Sequence, residues 1–296
     1  NDDNDNIQRF SHVDYLCRGF LKTSANERSS NARNGHGSNS KFISRRYERT
    51  IVGVPHMLNV TARQELISKI LDTLMIVVED ARFDFDEDGL TVRVVDSSHV
   101  AMIKLTVDAA AFDGWELDAK KIGLEMKKIR EVTTLGGSGD LIEISHQDGG
   151  DFTMSLGKIV RNLRPLDNAT MASPPSLPKL DLPCKIVMNG AELGQALKAA
   201  KQVGDLVNFS IDESSFKVHV RNNTDSVNIS FDKDEMDELV CDGAARSQYS
   251  LTYLEPLSRR FGAGDNVTIQ FGENFPLAMN FTFENGAAEV DYFLAP

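Results

Sequence analysis

The feature that most constrains this chain is an element pattern that occurs twice, offset by 125 residues. Glu79-Asp80 aligns with Gly204-Asp205, and Gly139-Asp140 with Gly264-Asp265. In the first copy, apolar residues at Leu66, Ile67, Ile70, Leu71, Leu74 and Met75 predict a helix within 64–78. Alternation through 82–95 about Asp86-Glu87-Asp88-Gly89 predicts a hairpin, and 102–107 a further strand. A second helix is predicted within 124–135, stopped by Gly136-Gly137, with strands at 141–145 and 152–156. The second copy repeats the order: helix near 191–203, hairpin 207–220, strand 227–231, helix 253–261 and strand 267–271. Many strands with few helices make the class α+β, and the repetition makes it two copies of one domain.

The boundaries follow from composition. Pro165 to Pro183 holds five prolines and no helical period, so residues 164–183 read as an extended linker between domains at 57–163 and 184–296. Residues 1–56 are of another kind, rich in Ser, Asn, Gly and Arg, and read as a disordered extension, a tag or upstream read-through, with Met57 as the expected natural start. That segment carries 9 Lys+Arg against 6 Asp+Glu, while the remainder carries 23 against 38, so the +3 and −15 sum to the net −12. An acidic body repels nucleic acid on average, so a DNA role requires cations gathered on one surface. No run of eighteen apolar residues supplies a membrane-spanning helix, and no secretory signal is visible. The three widely spaced cysteines (Cys17, Cys184, Cys241) argue against a disulfide framework and a zinc site, and fit a reducing compartment.

Catalytic motifs fail on spacing. Asp96-Ser97-Ser98-His99 holds the residue types of a hydrolytic triad, but triad members converge from separate segments, not from one short loop. Asp84, Asp86, Asp88 and Gly89 match half a calcium loop, yet its twelfth position is Val95, and strand alternation favours an acidic hairpin turn. Gly136-Gly137-Ser138-Gly139 trails a helix and lacks the following Lys of a phosphate loop. No catalytic apparatus, cofactor or metal site is expected. The basic residues say more: Lys69 is predicted on the first helix, Lys127, Lys128 and Arg130 on the second, Lys198 and Lys201 on the third, and Arg259 and Arg260 on the fourth. A cationic helix is commonly just a solvated face; the same bias on successive helices of a duplicated unit puts a DNA-facing surface on equal footing.

Several segments together resemble the proliferating cell nuclear antigen family of sliding clamps. They are Asp96-Ser97-Ser98-His99-Val100, the linker ending Leu177-Pro178-Lys179-Leu180-Asp181-Leu182-Pro183, Asn274-Phe275-Pro276-Leu277 and the terminal Tyr292-Phe293-Leu294-Ala295-Pro296. The likeness spans Met57 to Pro296, and the stretch from Leu105 to Phe112 with the short linker is more similar to archaeal members. It implies a homotrimeric ring of duplicated DNA-clamp domains, helices lining the hole and β-sheets outside, with no enzymatic activity. Its implied partners are double-stranded DNA without sequence preference, a clamp loader of the replication factor C type, DNA polymerase, flap endonuclease and DNA ligase. The setting would be cytoplasmic and nucleoid-associated in an archaeon, or nuclear in a eukaryote.

Carried over by position, the resemblance implies that Lys69, Lys127, Lys128, Arg130, Lys198, Lys201, Arg259 and Arg260 face DNA. Val95, His99, Val100, Leu177, Pro178, Pro276, Tyr292, Ala295 and Pro296 would form a pocket for a partner peptide. The trimer interface would join an edge strand near 152–158 (Phe152, Met154, Lys158) to one near 227–231 (Val227, Ile229, Phe231) of the next copy. The family usually continues past the position of Pro296, which leaves one wall of the pocket short. Two alternatives stand beside this reading. One is a subunit of a hetero-trimeric or checkpoint-type clamp, and the other is a peptide-binding scaffold that does not encircle DNA.

Overall fold

The computed structural model describes residues 57–171, 173, 175–262 and 264–296; the reading of residues 1–56 as an extension lies outside them. Elements follow one order twice. The first copy is β1 (Met57–Arg63), α1 (Gln64–Leu74), β2 (Asp80–Phe85), β3 (Gly89–Val95), β4 (Ala101–Asp108), β5 (Gly114–Leu117), β6 (Lys120–Glu125), α2 (Met126–Thr133), β7 (Leu141–Gln147), β8 (Phe152–Leu156) and β9 (Ile159–Leu163). The second is β10 (Cys184–Asn189), α3 (Gly190–Lys201), β11 (Leu206–Ile211), β12 (Ser215–Arg221), β13 (Ser226–Asp232), β14 (Glu238–Cys241), β15 (Ala245–Ser250), α4 (Leu251–Ser258), β16 (Asn266–Phe271), β17 (Leu277–Phe283) and β18 (Ala288–Leu294).

Local chemistry fixes the ends of these elements. Helix α1 buries Leu66, Ile67, Ile70, Leu71 and Leu74 on one stripe. The Asn189 side chain caps α3 by accepting from the Ala191 and Glu192 amides at 2.9 and 3.3 Å. Ser250 caps α4 through the Thr252 amide at 3.3 Å, so that helix begins two residues before the periodicity predicts, and it ends at Ser258, soon after Pro256. In the β2–β3 turn, Asp86 Oδ1 accepts from the amides of Asp88 and Gly89 at 3.0 and 3.1 Å. Gly89 has φ +147°, and a Cβ there would lie 2.1 Å from the Val107 carbonyl oxygen. The half-match to a calcium loop is thus an acidic hairpin turn.

The sheets repeat as the elements do. One five-stranded sheet runs β5-β1-β7-β8-β9, and a four-stranded one runs β13-β12-β11-β15. Their counterparts are fused into a nine-stranded sheet, β14-β10-β16-β17-β18-β4-β3-β2-β6. The fusion is the antiparallel pair β18–β4, in register from Ala288↔Val107 to Leu294↔Ala101, which joins second domain to first. Beneath it the second core is aromatic: Phe209 packs edge-on to Phe216 and Tyr249, with ring centroids 5.2 and 5.6 Å away. The linker leaves the first domain through a bridge between Leu166 and Gly123, where a Cβ would come within 2.3 Å of Met171 Sδ.

Two expectations need correction. Strand β8, which carries Phe152 and Met154, is not an edge: β7 and β9 flank it and both side chains are buried. Lys158 sits in the β8–β9 turn. The edge is β9, a strand of five residues that the alternation pattern does not reveal. The cysteines also differ from expectation. Cys184 and Cys241, 57 residues apart, face each other in the β10–β14 register and are joined by a disulfide; spacing along the chain says nothing about opposition across a sheet.

Candidate functional site

Helix α1 packs against α2 and α3 against α4, and ion pairs tie the two helix pairs together. Asp72 on α1 accepts from Arg130 on α2 and, at 2.7 Å, from Arg260 just past α4. Lys69 reaches Glu284 of the second domain at 2.6 Å, its ammonium 6.0 Å from the Phe283 ring centre. Two of the eight cations expected on a DNA-facing surface, Lys69 and Arg260, therefore hold the domains together, and Arg130 ties α2 to α1 within the first. Partial burial, then the neighbouring Arg259, lowers the pKa of Arg260. Arg259 itself forks onto Glu255 with both contacts at 3.0 Å, Lys128 pairs with Glu125 at 2.6 Å, and Lys201 pairs with Asp205. Lys127 and Lys198 are exposed and have no ion pair among the described residues. The exposed Lys128 and Lys201 pairs contribute only about 0–1 kcal/mol, so a phosphate can displace their carboxylates, whereas Glu255 is buried. Lys127 and Lys198 need no such exchange.

The expected pocket residues converge at one end of the β4–β18 seam. Ala295 N donates to Val100 O at 2.8 Å, Leu294 opposes Ala101, and Leu277, next to Pro276, opposes Leu294. Val95 stands opposite Met102 at the end of β3. These positions bring Val95, Val100, Pro276, Tyr292 and Ala295 into one neighbourhood from four segments. Tyr292 corrects the expectation of a wall: it is fully buried and lies beneath the surface, because Tyr292 alternates inward with Val290 and Leu294 along β18. Pro276 and Ala295 are also buried, whereas His99 and Pro296 are exposed and Val95 and Val100 half-buried. Leu177 and Pro178 lie on the extended linker, Leu177 with 38% of its surface exposed. Just upstream, linker residues Leu166, Met171 and Pro175 share a groove of about 400 Å³ with Ala81, Val94 and Val95.

Sequence reasoning overlooked Asp96 as anything but a failed triad member. Its buried carboxylate organises the loop that presents His99 and Val100. Oδ1 accepts from Val100 N at 2.7 Å and Ala101 N at 2.8 Å, and Oδ2 from Ser98 N at 3.2 Å. The signal was present, since an Asp followed by small polar residues favours a turn closed by its own side chain. The Tyr253 hydroxyl of α4 also donates to Asp96 Oδ2, at 3.0 Å, and no local pattern announces that bond. Ile159 and Val160 on the β9 edge were overlooked too; they are 43% and 63% exposed.

Comparison with known proteins bears on the fold as a whole. The family profile described as proliferating cell nuclear antigen, N-terminal domain, matches residues 57–164. The DNA polymerase sliding clamp of Methanosarcina acetivorans is 30% identical over 241 residues, covering 81% of this chain and 98% of that protein. That of Natronomonas pharaonis is 31% identical over 243 residues, with the same coverage. Among solved structures, A. fulgidus PCNA with the C-terminal region of FEN-1 bound is similar with a TM-score of 0.76 at 30% identity, covering 81% of this chain and 98% of that one. PCNA from Thermococcus kodakaraensis shares the fold, with a TM-score of 0.73 at 23% identity over 81% of this chain and 99% of that one.

Proposed function

The chain belongs to the family of DNA polymerase sliding clamps, and on that premise we propose that three copies close into a ring around duplex DNA and carry partner proteins along it. One observation supports ring closure above the rest. Within the chain, β4 of the first domain pairs with β18 of the second. Their counterparts in the repeat, β13 and β9, are both sheet edges among the described residues. The same junction made between copies uses both edges, and a head-to-tail contact of this kind generates a closed ring when the rotation closes.

The internal seam also supplies a register. Val92 pairs with Leu105 and its counterpart Val218 with Ile229; Phe281 pairs with Val290 and its counterpart Leu156 with Ile159. Because Val290 opposes Leu105 inside the chain, Ile159 would oppose Ile229 across the boundary, and Arg161 would oppose Val227. The half-exposed Ile159 then gains an apolar partner, while Phe231 remains in its own core.

A closed ring leaves DNA only by opening or by sliding off an end. Contacts to the duplex can therefore be weak and mobile, and phosphates are equivalent from step to step, so cations on the lining carry no sequence information. The ring contributes topology, with no reaction of its own. An ATP-driven loader would open it, and polymerase, flap endonuclease and ligase would dock through a short peptide near Val95, Val100, Leu177 and Pro178. Loading on a nicked circular plasmid tests the encirclement. Clamps should stay on the circle in high salt and be lost once a restriction enzyme linearises it. Equal release from circle and line would overturn the proposal.

A further inference from the structure

The loop carrying His99 and Val100 belongs to the first domain, but its organising carboxylate is held from the second. Asp96 Oδ1 is filled by two loop amides, and Oδ2 is shared between Ser98 N and the hydroxyl of Tyr253 on α4. His99, between these contacts, has φ +56°, a left-handed conformation that a non-glycine residue keeps only when its surroundings hold it. The neighbouring Tyr292 hydroxyl is fully buried and has no hydrogen-bond partner among the described residues, although Asp96 and Tyr253 lie near enough to influence it electrostatically. Among the described residues, Tyr253 is thus the side chain from beyond the loop that hydrogen-bonds Asp96.

We infer that Tyr253 is a positioning residue for partner binding: its hydroxyl, through Asp96, fixes the loop that presents His99 and Val100 to a partner peptide. The inference rests on the pocket reading above and extends it, because it makes the pocket a property of the docked domain pair. A loop pre-ordered in its binding conformation spares the peptide the cost of ordering it. Freed of Tyr253, Asp96 would lose its tether to the second domain, and its bonds to the loop amides would open more often. The loop would then sample conformations that the peptide does not bind.

Tyr253→Phe removes the hydroxyl and keeps the ring in place. The probe is a synthetic peptide of the FEN-1 C-terminal region, titrated calorimetrically against the full chain, with amide exchange of Ser98, Val100 and Ala101 followed on the same samples. Peptide affinity should fall on the order of tenfold, as loss of about 1.4 kcal/mol implies, and those three amides should exchange faster than in the parent chain. Tyr292→Phe is the matched control; it deletes a nearby hydroxyl that makes no bond to Asp96, and should leave both readouts unchanged. Wild-type affinity in Tyr253→Phe overturns the inference, as does unaltered exchange at the three amides. Leu177→Ala with Pro178→Ala separates the two readings. If that pair leaves affinity intact while Tyr253→Phe still quickens the loop, the pocket assignment fails and the Tyr253–Asp96 tether stands.

Discussion

Asp72 shows how a cation can be committed before any ligand arrives. Arg130 and Arg260 converge on it from α2 and from the turn after α4, and Lys69 is similarly engaged by Glu284. Their positive charge still contributes to the field of the helical layer, but each is already drawn to a carboxylate. Lys127 and Lys198 differ in being exposed without an ion pair among the described residues. Replacing both with Ala should weaken clamp-dependent primer extension, and should reduce the salt slope of DNA binding by about 0.9 for each phosphate contact removed. Lys69→Ala should change that slope less, since it breaks an internal pair. Both substitutions fall at exposed helix positions where Ala is well tolerated, so the oligomer should persist. Extension that matches the parent across a salt series, with assembly intact, would place the DNA-facing surface elsewhere.

Among the elements, β9 matters most and was least legible. Its five residues follow a tight turn at Gly157 and Lys158, and apolar and polar residues do not alternate cleanly along it. Longer elements with strong periods were readable: α1, the β2–β3 hairpin and β7 stand where the pattern put them. The four-residue β5 and β14 have too few residues to set a period, and β1, β6, β10, β15, β17 and β18 were also not read from the pattern. Ile159→Asp tests the edge directly. In the proposed ring it would place a carboxylate opposite the apolar Ile229 of the next copy, and native mass spectrometry should then show monomers where the parent chain gives the proposed trimer. The fold of the single chain should survive, since Ile159 is already 43% exposed in it. A persistent trimer would show that assembly uses another surface.

At the scale of the molecule, the two domains share one continuous sheet and one run of buried apolar residues, and polar contacts join them at the helical layer. Buried tyrosines couple this arrangement to pH. Burial raises the pKa of Tyr249 above the ordinary phenol value of 10.0, and burial first, then the neighbouring Tyr253 and Asp96, raises that of Tyr292 further. Tyr249 also donates to the Phe275 carbonyl at 2.7 Å, fixing the segment before Pro276. An unfolded chain releases these protons near the ordinary value, whereas the folded chain keeps them. Their stabilisation is therefore complete below about pH 10 and declines as pH rises toward the folded values, by about 1.4 kcal/mol per pH unit for each retained proton. Denaturant midpoints should be nearly level up to about pH 10 and fall steeply beyond it, with a shallower fall in Tyr249→Phe. A midpoint unmoved between about pH 9 and about pH 11 would contradict this linkage.

The sequence by itself determined the duplication, the α+β class, the helical stripes of α1 and α3 and the family, because periodicity, turn chemistry and repeated spacing are local properties of the chain. Resemblance, and no local pattern, singled out the segments that meet at the end of the β4–β18 seam. Tertiary structure decided what depends on which strands lie side by side. The β18–β4 seam turns Tyr292 from an expected wall into a buried support and leaves β9, not β8, as the open edge. The β10–β14 register brings Cys184 to Cys241. The seam between domains gives Asp72 its second arginine and Asp96 its tyrosine, across 188 and 157 residues of chain. No pattern in a linear sequence encodes such meetings, since burial and pairing are set by the packing of elements remote from one another.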